Sequence, residues 1–267
     1  MVVVNGQGQS QATPIKQGIF EAVLDQHLSI VSAIRMTKYL QRGWRFPGYV
    51  YIDATAGCGD NLEVGVPGSP RIFDGKIRDS GMPYKSYLID RDSKNVERLQ
   101  SLFKDDPRVN IYCGKHEFVM SEVLTDIGNN KPFGILYFDP NGAPNFEFIA
   151  HLCRAPMLER VDLLIRFSAT AVKRVRRAFG RDSLEEMIRE IPKTNWMVGY
   201  GAYRDPWQSA FLFGLNTPIK EYRKTGLHNI DSATGQQILY QINYTSEEKQ
   251  AFSPPQTCLF DFWRSKA

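Results

Sequence analysis

A chain of 267 residues with 42% apolar content can bury a large core, and α/β sheets covered on both faces commonly reach this size as one unit. Its formal charge of +4 is compatible with a nucleic-acid partner and with an ordinary enzyme, so charge selects neither. No apolar run approaches the roughly 20 residues needed to cross a bilayer, and the scattered cysteines (58, 113, 153, 258) and histidines (27, 116, 151, 228) lack the paired spacing of a zinc site or a disulfide framework.

The expected organisation is a flexible N-terminus over 1–14, one domain over 15–245 and a C-terminal extension over 246–267. Residues 1–18 lack the basic start, apolar stretch and cleavage site of an export signal, so the expected compartment is the cytoplasm. From Ile15 to Leu40, apolar residues Ile19, Phe20, Val23, Leu24, Leu28, Val31 and Ile34 recur at three and four residue steps, the period of an amphipathic helix. Gly43 to Gly48 interrupts it, and Tyr49-Val50-Tyr51-Ile52 reads as a short strand buried on both faces. Between 61 and 85 the glycines and prolines crowd together (Gly65, Pro67, Gly68, Pro70, Gly75, Gly81, Pro83), and the expectation is an irregular insertion at the sheet's edge.

Strand and helix patterns then alternate. Ser86 to Ile89 is a strand ending at Asp90, Ser93 to Phe103 a helix, Val109 to Cys113 a strand, and Phe118 to Ile127 a helix. Gly134 to Phe138 is a strand ending at Asp139-Pro140, where proline stops further pairing, and Phe146 to Leu158 is a helix. Leu163 to Phe167 and Ala169 to Phe179 make one more strand and helix. This alternation is the signature of βαβ units around a parallel sheet. Two later apolar runs, Asn195 to Gly199 and Ser209 to Leu215, are joined by a loop too short for a crossover helix and should pair antiparallel. The fold expected is therefore α/β: a Rossmann-like, mainly parallel seven-stranded sheet with an antiparallel C-terminal hairpin. That closure belongs to S-adenosylmethionine (AdoMet) methyltransferases rather than to dinucleotide dehydrogenases.

Three strand ends could carry chemistry. After the first strand, Asp53-Ala54-Thr55-Ala56-Gly57-Cys58-Gly59 places Gly57 and Gly59 where backbone can pass close to a ligand, although an ordinary strand-to-helix turn has the same form. Asp53 can accept hydrogen bonds or balance a cationic amino-acid moiety. At the second strand's tip, Asp90 can accept ribose hydroxyls, or can be a solvated loop acid. Ala54, Arg91, His116 and Glu117 complete the expected cofactor set. At the fourth strand's tip, Asp139, Pro140 and Asn141 are the candidate catalytic residues. A carboxylate and a carbonyl that hold the two N–H groups of an exocyclic amine turn its lone pair toward a sulfonium methyl, whereas a plain Asp-Pro turn would only end the strand.

Taken in order, the amphipathic helix, Tyr51 to Gly59, Gly68-Ser69-Pro70, Leu88-Ile89-Asp90-Arg91-Asp92 and Phe138-Asp139-Pro140-Asn141-Gly142 resemble the three-Cys-motif partner family, a branch of class I AdoMet methyltransferase-like proteins. The similarity covers roughly residues 16 to 220. It implies that Asp53, Gly57 and Gly59 line the methionine end of AdoMet, Asp90 its ribose and Asp139 the acceptor side. Amino-methylating DNA enzymes carry a second proline and then an aromatic that stacks on the flipped base. Here Asn141-Gly142 stands in those positions, so Phe146, Tyr203 or Trp207 would have to stack instead.

Over 169–181, helical geometry gathers Lys173, Arg174, Arg176, Arg177 and Arg181 on one face, a candidate phosphate-tracking surface or simply a solvated one. Lys173, Arg174, Arg177, Tyr203 and Trp207 are the candidate substrate contacts. The reading is an AdoMet-dependent methyltransferase acting on an amino group of a nucleic-acid base, DNA before RNA. The alternatives are a non-catalytic AdoMet-binding or nucleic-acid-binding module beside a partner protein and a nicotinamide oxidoreductase.

Overall fold

The computed structural model describes residues 2–4, 7–9, 13–61, 65–140, 142–178, 183–200, 209–216 and 222–245. Its centre is an eight-stranded sheet, with strands numbered here in chain order: β1 (Tyr49–Asp53), β2 (Tyr84–Asp90), β3 (Val109–Cys113), β4 (Phe133–Phe138), β5 (Val161–Ser168), β6 (Asn195–Tyr200), β7 (Ser209–Leu215) and β8 (His228–Asn229). Across the sheet they run 8-6-7-5-4-1-2-3. β1 to β5 pair in parallel, while β7 lies antiparallel between β5 and β6. This is the Rossmann-like class I methyltransferase arrangement, extended by the two-residue β8 beyond the seven strands expected. Because the chain reverses direction across the sheet at β1, with β2 on one side and β4 on the other, a crevice opens at the carboxyl ends of β1 and β4.

Helices cover both faces. On one lie α1 (Thr13–Ile34), α2 (Ser69–Ser80) and α3 (Ser93–Leu102), packed on Tyr49, Tyr51, Ile135 and Phe213. On the other lie α4 (His116–Ile127), α5 (Phe146–Cys153), α6 (Ala169–Ala178), α7 (Leu184–Ile188) and α8 (Ala233–Asn243), against Val50, Ile52, Leu136 and Leu212. Alternate residues of β1 thus feed different cores, which is why it reads as an unbroken apolar run.

Of the stripe its periodicity predicts, α1 buries Phe20, Val23, Leu24, Leu28 and Val31 while Ile19 and Ile34 are half-buried, and the polar Thr13, Gln17 and His27 are buried with it. Buried His27 ties the helix to the start of the sheet: Nδ1 lies 2.8 Å from the Tyr49 hydroxyl and Nε2 3.1 Å from Asp162 Oδ2. The helix continues as a π-helical turn, Arg35–Tyr39, and a 3₁₀ turn, Leu40–Arg42, closed by Gly43 in the left-handed region at φ 67°.

Residues 61–85 differ from the irregular insertion expected. They contain α2, and several of their glycines and prolines mark its ends: extended Gly68 precedes it, Pro70 sits in its first turn, and Gly81 closes it at φ 60°. α2 is the crossover helix joining β1 to parallel β2, so the segment belongs to the sheet's own topology. Of the glycines only Gly75 lies inside it, with open space where a side chain would be.

Candidate functional site

The crevice holds a cavity of about 570 Å³, lined by the 54–61 turn, Gly68 and Ser69, Asp90 to Asp92, Gly114 to Glu117, Asp139 and Pro140, and Thr13, Lys16 and Gln17 of α1. Its size is that of a small-ligand pocket. The ends of β1, β2 and β4 therefore meet at one cavity, which Asp90 and Asp139 line and Asp53 does not.

The floor is shaped by two left-handed glycines, Gly57 at φ 62° and Gly59 at φ 83°. The Gly57 N–H donates to Asp90 Oδ2 at 2.9 Å, and the Ala56 N–H to the Ile89 carbonyl at 2.9 Å, so the β1 turn is fastened to the tip of β2. Gly68 donates to the Gly59 carbonyl, and a Cβ on Gly68 would stand 2.6 Å from that oxygen, too close for any side chain.

Asp53 supports this turn from below and does not line the cavity. It is fully buried, accepts from the Tyr51 hydroxyl and the Ser69 hydroxyl at 2.7 Å each, and takes the Thr55 N–H at 3.1 Å. Burial pushes its carboxyl up to about 6, and the bonds from Ser69, Tyr51 and Thr55 only partly oppose that rise.

On the second wall, Asp90 Oδ1 accepts from the Asp92 N–H at 2.8 Å and Asn95 Nδ2 at 3.1 Å. With Gly57 on Oδ2, three of the roughly four acceptor positions of a carboxylate are filled, leaving one on Oδ2 for a further donor. Arg91 lines the rim. His116 and Glu117 open α4 beside it. Burial lowers the His116 pKa against the opposing pull of Glu117, and its ring leans on Phe138 and Phe148.

The third wall contains a feature that the motifs do not announce. Asp139 Oδ2 is 2.5 Å from Lys16 Nζ, and Oδ1 is 3.1 Å from the Arg166 guanidinium, while the Asp139 N–H donates to the Thr55 hydroxyl. Burial alone would raise this carboxyl, but the two cations outweigh it and hold Asp139 below the usual carboxylate range. Pro140 lines the cavity beside it. Arg166 is a cation inside the apolar run of β5, which was a readable sign; Lys16 sits on the polar flank of α1, where nothing separates it from a solvated lysine.

Other expected residues lie elsewhere. Phe146 is buried in the core at 7% exposure and cannot stack on a base, because its ring packs beneath the sheet. Lys173 and Arg174 are on α6 outside the cavity lining, Arg174 exposed and Lys173 half-buried. Asn141, Tyr203 and Trp207, and the side chains of Arg176, Arg177 and Arg181, lie outside the described residues.

The donor set suits AdoMet: acids at the β2 and β4 ends, a glycine turn admitting close backbone approach, and a neutral-leaning imidazole between aromatic rings. Asp90, the 54–59 turn, His116 and Glu117 would hold it.

Neither a family model nor a curated protein sequence matches the chain. Among solved structures it is similar to protein LPL1258 from Legionella pneumophila, with a TM-score of 0.53 at 11% identity over 85% of this chain and 91% of that one. It also aligns with the Methanococcus jannaschii fibrillarin pre-rRNA processing protein at TM-score 0.45, 10% identity and 65% and 69% coverage. The Escherichia coli putative methyltransferase yhhF aligns at TM-score 0.38, 12% identity and 82% and 92% coverage. At these identities the likeness is one of fold.

Proposed function

We propose that the protein is an AdoMet-dependent methyltransferase whose acceptor is an amino group of a nucleic-acid base. One observation carries the reading: an ionised Asp139 shares a cavity with Asp90 and the glycine turn, and two cations keep it ionised. AdoMet supplies a methyl group on a sulfonium. Each Asp139 oxygen accepts one ion-pair contact, so the carboxylate retains capacity for a further donor and can take an acceptor N–H, aiming the lone pair toward the cofactor. Its negative charge also offsets the positive charge that grows on the attacking nitrogen. Thr55, bonded to the Asp139 backbone, holds the β4 tip against the cofactor turn.

The test is methyl transfer from tritiated AdoMet to DNA and RNA by the full chain, with AdoMet affinity measured by calorimetry. The expected result is incorporation that Asp139→Asn lowers at least a hundredfold while AdoMet affinity changes less than threefold. Absence of AdoMet binding, or tighter binding of NAD, would refute the cofactor assignment. The second reading, a non-catalytic AdoMet-binding partner protein consistent with the three-Cys-motif partner resemblance, is supported by Gly142 standing where an aromatic would stack. It predicts AdoMet binding with no methyl transfer to either nucleic acid.

A further inference from the structure

At the opposite end of the sheet lies a second cavity of about 840 Å³, built where the π-helical continuation of α1 passes the start of β4 and the segment before β5. Lys38, Tyr39, Arg42, Trp44, Phe133 and Arg160 line it. Here the cations meet aromatic rings. The Arg42 guanidinium lies 5.3 Å from the Trp44 ring centre, and Arg160 lies 5.5 Å from that of Phe133 while donating to the Tyr39 hydroxyl at 2.8 Å. Arg35 covers Phe46, whose ring stacks parallel on Phe133 at 5.8 Å with Tyr39 edge-on to both. The two carboxylates on the groove are engaged from within the protein, Glu159 by Lys131 and Asp162 by His27.

Trp44, at 58% exposure, lines this groove, and the segment that builds it also exposes Met36 at 53% and Leu40 at 49% within the same nine residues. A patch of that kind marks a contact surface. Its cations give the occupant a negative charge, and its fixed guanidinium and indole planes give it flat rings to stack. A duplex hides its base faces, while a single strand presents unstacked bases and phosphates together. An acidic peptide would match the charge and leave the stacked planes unused.

We infer that this groove binds single-stranded nucleic acid, with a base on the exposed indole of Trp44 and phosphates on Lys38, Arg42 and Arg160. It is a site separate from the cavity at the carboxyl ends, about 20 Å away along the six residues of β4. The binding does not depend on methyl transfer, so failure here leaves the cofactor reading standing, and failure there leaves this one testable.

The experiment is fluorescence anisotropy with labelled 16-nucleotide RNA and DNA single strands, the matching duplexes, AMP and polyglutamate, using the full chain. The expected result is binding of one or both single strands in preference to duplex. Trp44→Ala should weaken binding roughly five- to a hundredfold, the loss of one stacked base. Lys38→Ala with Arg42→Ala should flatten the salt dependence of log K by about 1.4, at about 0.7 per phosphate. All three side chains are exposed, so thermal midpoint and AdoMet affinity should stay unchanged. Photocrosslinking of thiouridine-bearing RNA or thiothymidine-bearing DNA to the unsubstituted chain should mark peptides within 35–46. The inference is overturned if no single strand binds, if AMP binds as tightly as the 16-mers, if polyglutamate binds instead, or if crosslinks fall only at the methyl-transfer cavity.

Discussion

Replacing Asp53 with asparagine separates the two roles a carboxylate at the end of β1 could have. The group is fully buried and its pKa stands near 6 against an ordinary 3.8. Because the folded value is the higher, the native state holds its proton through a window in which the unfolded chain has released it. Stability therefore falls as pH rises from about 3.8 to about 6 and is flat above. Roughly two pH units at about 1.4 kcal/mol each comes to about 3 kcal/mol. Asparagine keeps an acceptor for the Thr55 N–H, and the Tyr51 and Ser69 hydroxyls can reverse to accept from its amide. Urea unfolding of both proteins at several pH values from 4 to 7.5 isolates the residue together with its charge coupling to Asp139, since groups remote from it contribute equally to each. The stability of Asp53→Asn minus that of the parent should climb by about 3 kcal/mol across the window and then level. A difference that is flat or falls with pH refutes the buried-charge argument. AdoMet affinity should change less than threefold, because Asp53 holds the turn without reaching the cavity.

Lys16→Met removes one of the two cations that hold Asp139 ionised, so its pKa should rise and the acid limb of the methyl-transfer pH profile should move upward. Turnover should drop at least tenfold with AdoMet affinity nearly unchanged, and steady-state kinetics from pH 5 to 9 read both. Gly59→Ala forces a side chain into the left-handed region at φ 83° and sets Cβ 2.8 Å from Leu102 Cδ2, which can turn aside. The backbone strain should cost about 1 to 2 kcal/mol in thermal or urea unfolding, and the shifted turn should weaken AdoMet binding by roughly tenfold.

The sheet was legible because its strands are short apolar runs stopped by acids. Tyr49 to Ile52, Leu88 to Ile89 and Leu136 to Phe138 each end at the carboxylate that enters or underlies the site. Residues 61–85 misled because glycine and proline break a helix interior but also mark a helix's ends, Gly68 and Gly81 from outside and Pro70 in the first turn. Asp53 and Asp90 look alike in sequence. What separates them is that Tyr51 and Ser69 close over Asp53, and Ser69 arrives from a helix sixteen residues later. Lys16 was invisible for the same reason: its meaning comes from a partner 123 residues away, and neither periodicity nor spacing encodes such a contact.

α1 runs 22 residues, about 33 Å of rod. Thr13, Lys16 and Gln17 at one end wall the cavity at the carboxyl ends of the strands, and the turns that continue its other end build the basic aromatic groove. Between them the His27 contacts to Tyr49 and Asp162 fasten the helix to the sheet. The two cavities are therefore walled by one continuous helical segment, which places the Lys16 contact with Asp139 and the aromatic turns on the same element.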